Sequence, residues 1–187
     1  MESEFKLEVA GLKRDLMVCK ISDNLCIAAF VLFGDVEMTV TAAEELLKLA
    51  PPYDILITAE AKGIPLVHEM ARQSGNHSYI VARKGIKLYM KEVFAVELRS
   101  ITTQKKQHLY IDAAEAKQMS GKRVLIVDDV ISTGESVRAV EKLVMEAGGF
   151  VAGKMAILAE GDAKYRDDIT CLGCIPLLKA DGTSIND

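Results

Sequence analysis

Two adjacent carboxylates, Asp128 and Asp129, close the apolar run Val124-Leu125-Ile126-Val127. A small, hydroxyl-rich turn follows at once: Ser132-Thr133-Gly134-Glu135-Ser136. The turn opens onto a stretch in which Val137, Val140, Val144 and Ala147 share one helical stripe. A helix N-terminus leaves backbone N–H groups without intrahelical acceptors and carries a partial positive charge. Small residues let an anion come close to those groups, and their hydroxyls add donors, so the turn suits a phosphate. The carboxylates are acceptors that can hold sugar hydroxyls, coordinate a hard cation or stabilise developing positive charge. An anion cradle beside an acceptor pair suits a sugar phosphate. A nucleoside triphosphate fits less well, because the Walker Gly-Lys-Ser/Thr signature is absent. Two rival readings compete. One is a capped turn in which Asp129 satisfies local N–H groups. The other is a phospho-acceptor receiver domain, which needs a full doubly wound unit downstream, yet only the 58 residues from Val130 to Asp187 follow Asp129.

The elements that must position these residues alternate along the chain. Thr41-Ala42-Ala43-Glu44 has capping-box spacing ahead of a helix that Pro51-Pro52 terminates. Asp54 to Thr58 reads as a buried strand, Ile64 to Gln73 as a helix ending at Gly75, and Tyr79 to Ala82 as a strand. Residues 84 to 121 break the rhythm, carrying Lys84, Lys87, Lys91, Arg99, Lys105 and Lys106 with strand-like pieces at Val93–Leu98 and Leu109–Ile111. Gly148-Gly149 stops the helix after the turn, and Phe150 to Leu158 is the next strand. Such alternation favours a parallel sheet covered on both faces, with ligands beyond the carboxyl ends of its strands.

The chain has 187 residues, half of them hydrophobic, and a formal charge of −4. The length suits one domain, 1–187, and the charge argues against a nucleic-acid partner. The N-terminus lacks a secretory pattern, and the longest apolar run, Leu25 to Phe33, is too short to span a bilayer, so no membrane partner and a cytoplasmic location are expected. Cys19, Cys26, Cys171 and Cys174 read as reduced structural thiols, because nothing completes a tetrahedral metal set around Cys171 and Cys174.

The stretch VLIVDDVISTGES resembles the phosphoribosyl-pyrophosphate (PRPP) motif of type I phosphoribosyltransferases. Thr58-Ala59-Glu60-Ala61-Lys62-Gly63-Ile64 falls where that family keeps its pyrophosphate loop. Tyr79 to Lys87 is similar to the strand and basic loop of adenine and xanthine enzymes, and Gly148 to Gly153 to the passage after the motif. The resemblance covers about residues 50 to 160. It implies an α/β fold, a central, mostly parallel sheet flanked by helices, with a small hood from about residues 1–40 and 165–187.

The resemblance also implies roles. Asp128 and Asp129 would hold the ribose hydroxyls, and Ser132, Thr133, Gly134, Glu135 and Ser136 the 5′-phosphate. Glu60, Ala61, Lys62 and Gly63 would approach the pyrophosphate, with Arg83, Lys84 and Lys87 neutralising it. Mg²⁺ would be held by PRPP and water, with Asp128 or Asp129 as the nearest protein groups. Glu97 loosely matches a lid glutamate that assists the base, although 30 residues separate it from Asp128, and Lys105-Lys106 lie in the segment Ile86–Tyr110 that suits a mobile lid. The implied activity joins PRPP to a purine base, adenine first, giving AMP and pyrophosphate. Xanthine or another 6-oxopurine is the alternative substrate, and a homodimer is the expected assembly. A non-catalytic PRPP-sensing regulator is the alternative class. Such proteins add a DNA-binding module, whereas about 50 residues precede the first core strand here. His68, His77 and His108 carry no catalytic signature, and Phe30 and Phe33 either cover the base or are core.

Overall fold

A computed structural model describes residues 4–99, 106–179 and 183–185. The chain opens with three antiparallel strands, β1 (Glu4–Val9), β2 (Leu12–Ser22) and β3 (Leu25–Ala28). Period-two alternation in β1 buries Leu7 and Val9 while Lys6 and Glu8 face water. Ala10 and Gly11, both at positive φ (53° and 74°), make the two-residue turn into β2, the geometry that matches strand twist in a tight hairpin. Helix α1 (Val36–Leu49), β4 (Ile55–Ala59), α2 (Ile64–Ser74) and β5 (Ile80–Ala82) follow. A hairpin of β6 (Val93–Arg99) and β7 (Lys106–Asp112) leads into α3 (Ala113–Met119). Then come β8 (Arg123–Ile131), α4 (Glu135–Glu146), β9 (Phe150–Glu160), a 3₁₀ turn at Gly161–Tyr165, β10 (Thr170–Ile175) and β11 (Leu177–Leu178).

Five strands form the central sheet in the order β10-β9-β8-β4-β5, and every pairing is parallel. Burial on both faces explains why β4 and β8 are near-continuous apolar runs. Leu125 and Val127 face a core shared with α1 and α2, including Met38, Leu46, Leu66 and Met70. Val124 and Ile126 face the opposite core, built with Met119 of α3 and with Val140 and Leu143 of α4. The small sheet, β1-β2-β3-β11, packs on the first side. Among the described residues, no helix is long and apolar enough to cross a membrane.

Several expectations need correction. Helix α1 starts at Val36, six residues before the spacing suggested, and Thr41 lies inside it. Its cap is Asp35, whose Oδ1 accepts the Met38 N–H at 3.0 Å. Arg14 of β2 fixes that carboxylate from outside, Nε to Oδ2 at 2.6 Å and Nη2 to Oδ1 at 3.0 Å. The strand-like pieces at Val93–Leu98 and Leu109–Ile111 do form strands, somewhat longer than expected: β6 and β7 pair over seven positions, and Val96, Leu109 and Ile111 are buried against the α4 side. Reciprocal backbone bonds of 2.8 Å between Arg83 and Tyr110 attach this hairpin beyond β5. The sequence pattern also missed α3, opened by a capping box between Asp112 and Glu115. Residues 170–175 lie in the central sheet, so the C-terminal contribution to the small sheet is narrower than 165–187 and comes from β11.

Asp35 and Thr41 are separable by substitution. Asp35→Ala should cost about 1 kcal/mol or more of unfolding free energy, and Thr41→Ala less than about 0.5 kcal/mol. The Arg14 guanidinium holds the Asp35 carboxyl below its ordinary 3.8. The Asp35 contribution is therefore full above that value and lost as pH falls through the lower folded one. Urea titrations of both variants at neutral pH check this; equal losses would refute Asp35 as the dominant cap.

Candidate active site

The central sheet reverses direction of growth between β4 and β8: β5 lies outward of one, β9 and β10 outward of the other. A crevice at such a switch point is where open α/β sheets bind ligands. Pairing of β8 with β4 ends at Ile57↔Ile126, whereas pairing with β9 continues to Ile131↔Ala159. Asp128 and Asp129 therefore sit past the last β4 partner. They are not at the end of β8, as the sequence suggested, because Val130 and Ile131 continue the strand.

Asp129 is only 2% exposed, and Asp128 is half-buried. The Asp129 N–H donates to Asp128 Oδ1 at 2.9 Å. Lys62 Nζ stands 3.1 Å from Asp129 Oδ2, and the contact is an ion pair without hydrogen-bond alignment, since Oδ2 is buried with no hydrogen-bond donor. Burial first, then the neighbouring Asp129 charge and the hydrogen bond between the two, push Asp128 up to about 7. The Asp129 N–H and the Lys62 charge oppose that rise.

The loop after β4 reaches this pair through Gly63. A Cβ there would collide with Thr58 Oγ1 and come within 3.2 Å of the Asp128 Cα, so only glycine lets the loop lie on β8. The Glu60–Ala61 peptide bond is cis. Glu60 Oε2 accepts the Lys84 N–H at 3.0 Å, and Lys87 Nζ lies 3.5 Å from Oε1. The Lys84 N–H first, with the Lys87 and Arg83 charges behind it, lowers the Glu60 carboxyl from its ordinary value. The structure thus gathers Arg83, Lys84 and Lys87 around Glu60, while Lys62 and Gly63 of the same loop lie against the acid pair.

On the other side, Gly134 takes φ +76° as the residue before α4, and no side chain caps that helix. Thr133 Oγ1 accepts the Glu135 N–H at a long 3.4 Å. Ser132 and Thr133 are exposed, and Glu135 and Ser136 are half-buried. The Ser132 hydroxyl donates to Glu160, a carboxyl at the end of β9 that burial pushes up and the Lys62 charge pulls down. Sequence reasoning missed Glu160, although it closes an apolar strand just as Asp128 and Asp129 do. It also missed Arg166, which lies against Gly134 and had no local signal.

The remaining candidates scatter. Glu97 lies on β6 opposite His108; its side chain and that of Lys106 lie outside the described residues, as does Lys105 altogether. Phe30 is core at 6% exposure, and Phe33 is 52% exposed. His68 meets Tyr79 edge-on and His108 stacks near Tyr110. The four cysteines are free, and among the described residues no group of three or more His, Cys, Asp or Glu could hold a metal ion by itself.

A phosphoribosyl transferase domain family matches residues 42–183. A hypoxanthine/guanine phosphoribosyltransferase of Methanococcus voltae is 35% identical over 131 residues, covering 70% of this chain and 66% of that protein. An adenine phosphoribosyltransferase of Cenarchaeum symbiosum is 30% identical, covering 64% of this chain and 67% of that one. Other curated relatives are spanned over less than two thirds of their length, such as the 53% of a Methanohalobium evestigatum hypoxanthine/guanine phosphoribosyltransferase. The crystal structure of adenine phosphoribosyltransferase from Thermoanaerobacter pseudethanolicus superposes with a TM-score of 0.61 at 26% identity, covering 76% of this chain and 84% of that one. The Giardia lamblia enzyme complexed with 9-deazaadenine reaches 0.63 at 16% identity, covering 91% and 93%, which speaks to fold alone.

Asp128 makes the site's own pH signature. Its folded value lies above the ordinary 3.8, so between 3.8 and about 7 the folded chain binds more protons than the unfolded one. That stability is full below the window and lost as pH rises through it. Stability of Asp128→Asn relative to the parent should therefore rise between about pH 4 and about pH 8, by on the order of 1–3 kcal/mol. Denaturant titrations of both chains across that range check it, and a flat difference would mean an ordinary Asp128.

Proposed function

The chain belongs to the phosphoribosyl transferase family and has its type I fold, and we propose that it transfers the phosphoribosyl group of PRPP to a purine base. The carrying observation is the acid pair on β8, set at the switch point between an uncapped helix start and a loop bearing cations. In this reading Asp128 and Asp129 hold the ribose hydroxyls. The turn Ser132–Ser136 receives the 5′-phosphate on its backbone N–H groups and hydroxyls. Glu60–Gly63 approaches the pyrophosphate, and Lys62, Arg83, Lys84 and Lys87 supply positive charge around it.

The reaction breaks the bond between C1 of the ribose and the pyrophosphate oxygen while a ring nitrogen of the base forms the new bond to C1. The electron pair of the broken bond leaves with pyrophosphate, and the base's ring N–H proton is released to pyrophosphate or water. As the old bond lengthens, positive charge builds on the sugar ring and negative charge on the departing group. Carboxylates beside the ribose and cations beside the pyrophosphate are complementary to that separation, and interactions that strengthen only in the transition state raise the rate. Closing the crevice against water protects PRPP from hydrolysis.

The acid pair fits a divalent ion that arrives with the substrate. Asp129 Oδ2 is buried without a hydrogen-bond donor, and Asp128 is held above its ordinary value by burial and its neighbour. Asp128 or Asp129 would hold magnesium directly or through water. When bound, magnesium would offset negative charge on the pyrophosphate as it leaves.

Adenine is the proposed base, supported by relatives and structural neighbours named adenine phosphoribosyltransferases. A 6-oxopurine is the second reading, favoured by the relatives named hypoxanthine/guanine phosphoribosyltransferases. We further propose one domain over 1–187 with the β1-β2-β3-β11 sheet as a hood, a homodimer, and a cytoplasmic setting that keeps the four free thiols reduced. Glu97 stays in the proposal as a base-assisting residue by resemblance.

The test is pyrophosphate release from PRPP and Mg²⁺ with adenine, guanine, hypoxanthine and xanthine in turn. Adenine should support turnover, and preferred release with an oxopurine would move the assignment to the second reading. Asp129→Asn should lower kcat on the order of 100- to 1000-fold, with the denaturation midpoint unchanged or raised. Unaltered turnover in that variant would remove Asp129 from the chemistry.

A further inference from the structure

Arg166, one residue beyond the 3₁₀ turn, is gripped along one edge of its guanidinium. Nε and Nη2 donate to Asp168 Oδ1 and Oδ2, both at 2.8 Å. Lys154 of β9 holds Asp168 at 2.7 Å and reaches Glu141 of α4 at 3.1 Å. The other edge behaves differently. Nη1 is buried and has no hydrogen-bond partner. It lies against Gly134: a Cβ on that residue would collide with Nη1 and sit 3.3 Å from Cζ. Gly134 is therefore required twice, for its positive φ and for the space the guanidinium occupies.

A bidentate pair fixes the plane of an arginine, so this wedge is held beneath the turn rather than resting there by chance. The two cations and two carboxylates of the network carry no net charge between them. A long-range field is thus a poor account of Arg166, and a local, directed donor is a better one. A desolvated donor without an acceptor is unfavourable, and such groups call for a specific explanation.

We propose that Arg166 is a positioning residue for the phosphate-binding turn: clamped by Asp168 and Lys154, it shapes the turn at Gly134 and presents Nη1 to an anion that settles in Ser132–Ser136. The inference rests on the reading of that turn as the 5′-phosphate cradle. It adds a residue from another part of the chain, 32 positions after Gly134 (166 minus 134), to a site otherwise built from one strand–helix junction.

Calorimetric titration with ribose 5-phosphate and, separately, with pyrophosphate tests it. Arg166→Met should weaken ribose 5-phosphate by about 10- to 100-fold, with pyrophosphate changed by less than about twofold. Arg166→Lys keeps the charge but loses Nη1, and should show a similar selective loss while guarding against a variant that merely fails to fold. Parent-like ribose 5-phosphate binding by Arg166→Lys would overturn the inference, and so would equal losses for both ligands. A parent chain that binds pyrophosphate but not ribose 5-phosphate would instead overturn the reading of the turn, and the inference with it.

Discussion

Two carboxylates placed next to each other on a buried strand repel, and each resists losing water. Asp128 and Asp129 are held in that state by the backbone of β8, which cannot move without breaking its pairing with β9. The site answers the resulting charge problem piecewise. Asp128 gives up part of its acidity, the Asp129 N–H turns toward Asp128, and Lys62 comes in from the loop after β4. In the proposed function, each response also places a group where a sugar and its leaving group would meet it. Electrostatic discomfort and binding competence are here two descriptions of one arrangement.

Close backbone approach is the second constraint. The loop after β4 lies on β8 because Gly63 has no Cβ to strike Thr58 or the Asp128 backbone. The turn before α4 lies on a guanidinium because Gly134 has none either. Two loops from different crossovers thereby converge on one strand end. The opposing cores, α1 and α2 on one face of the sheet and α3 and α4 on the other, hold the strand itself in place.

Much of this was legible in the sequence. Parallel strands buried on both faces are short, continuous apolar runs, which is why β4, β8 and β9 stood out, and Gly75 and Gly148 marked the ends of α2 and α4. The acid pair and the Thr-Gly turn were readable because backbone geometry and ligand chemistry both restrict residue choice there. What escaped depends on partners far along the chain. The start of α1 is fixed by Asp35 with Arg14, 21 residues earlier on another strand, so the nearer Thr41 spacing won by default. Helix α3, seven residues long, offers too little periodicity to register. Arg166 is an ordinary arginine until folding puts it under Gly134. How far β8 continues past its acids depends on β9, whose pairing no local pattern encodes.

Glu60 accepts the Lys84 N–H and pairs with the Lys87 ammonium. On the proposed reading of that loop, an incoming polyanion would trade places with this carboxylate, and the same carboxylate would return as the anion departs. Both directions of exchange then begin from cations with a standing counter-charge, so the gain on capture and the penalty on escape are trimmed together. A binding surface with such a built-in competitor favours throughput over retention.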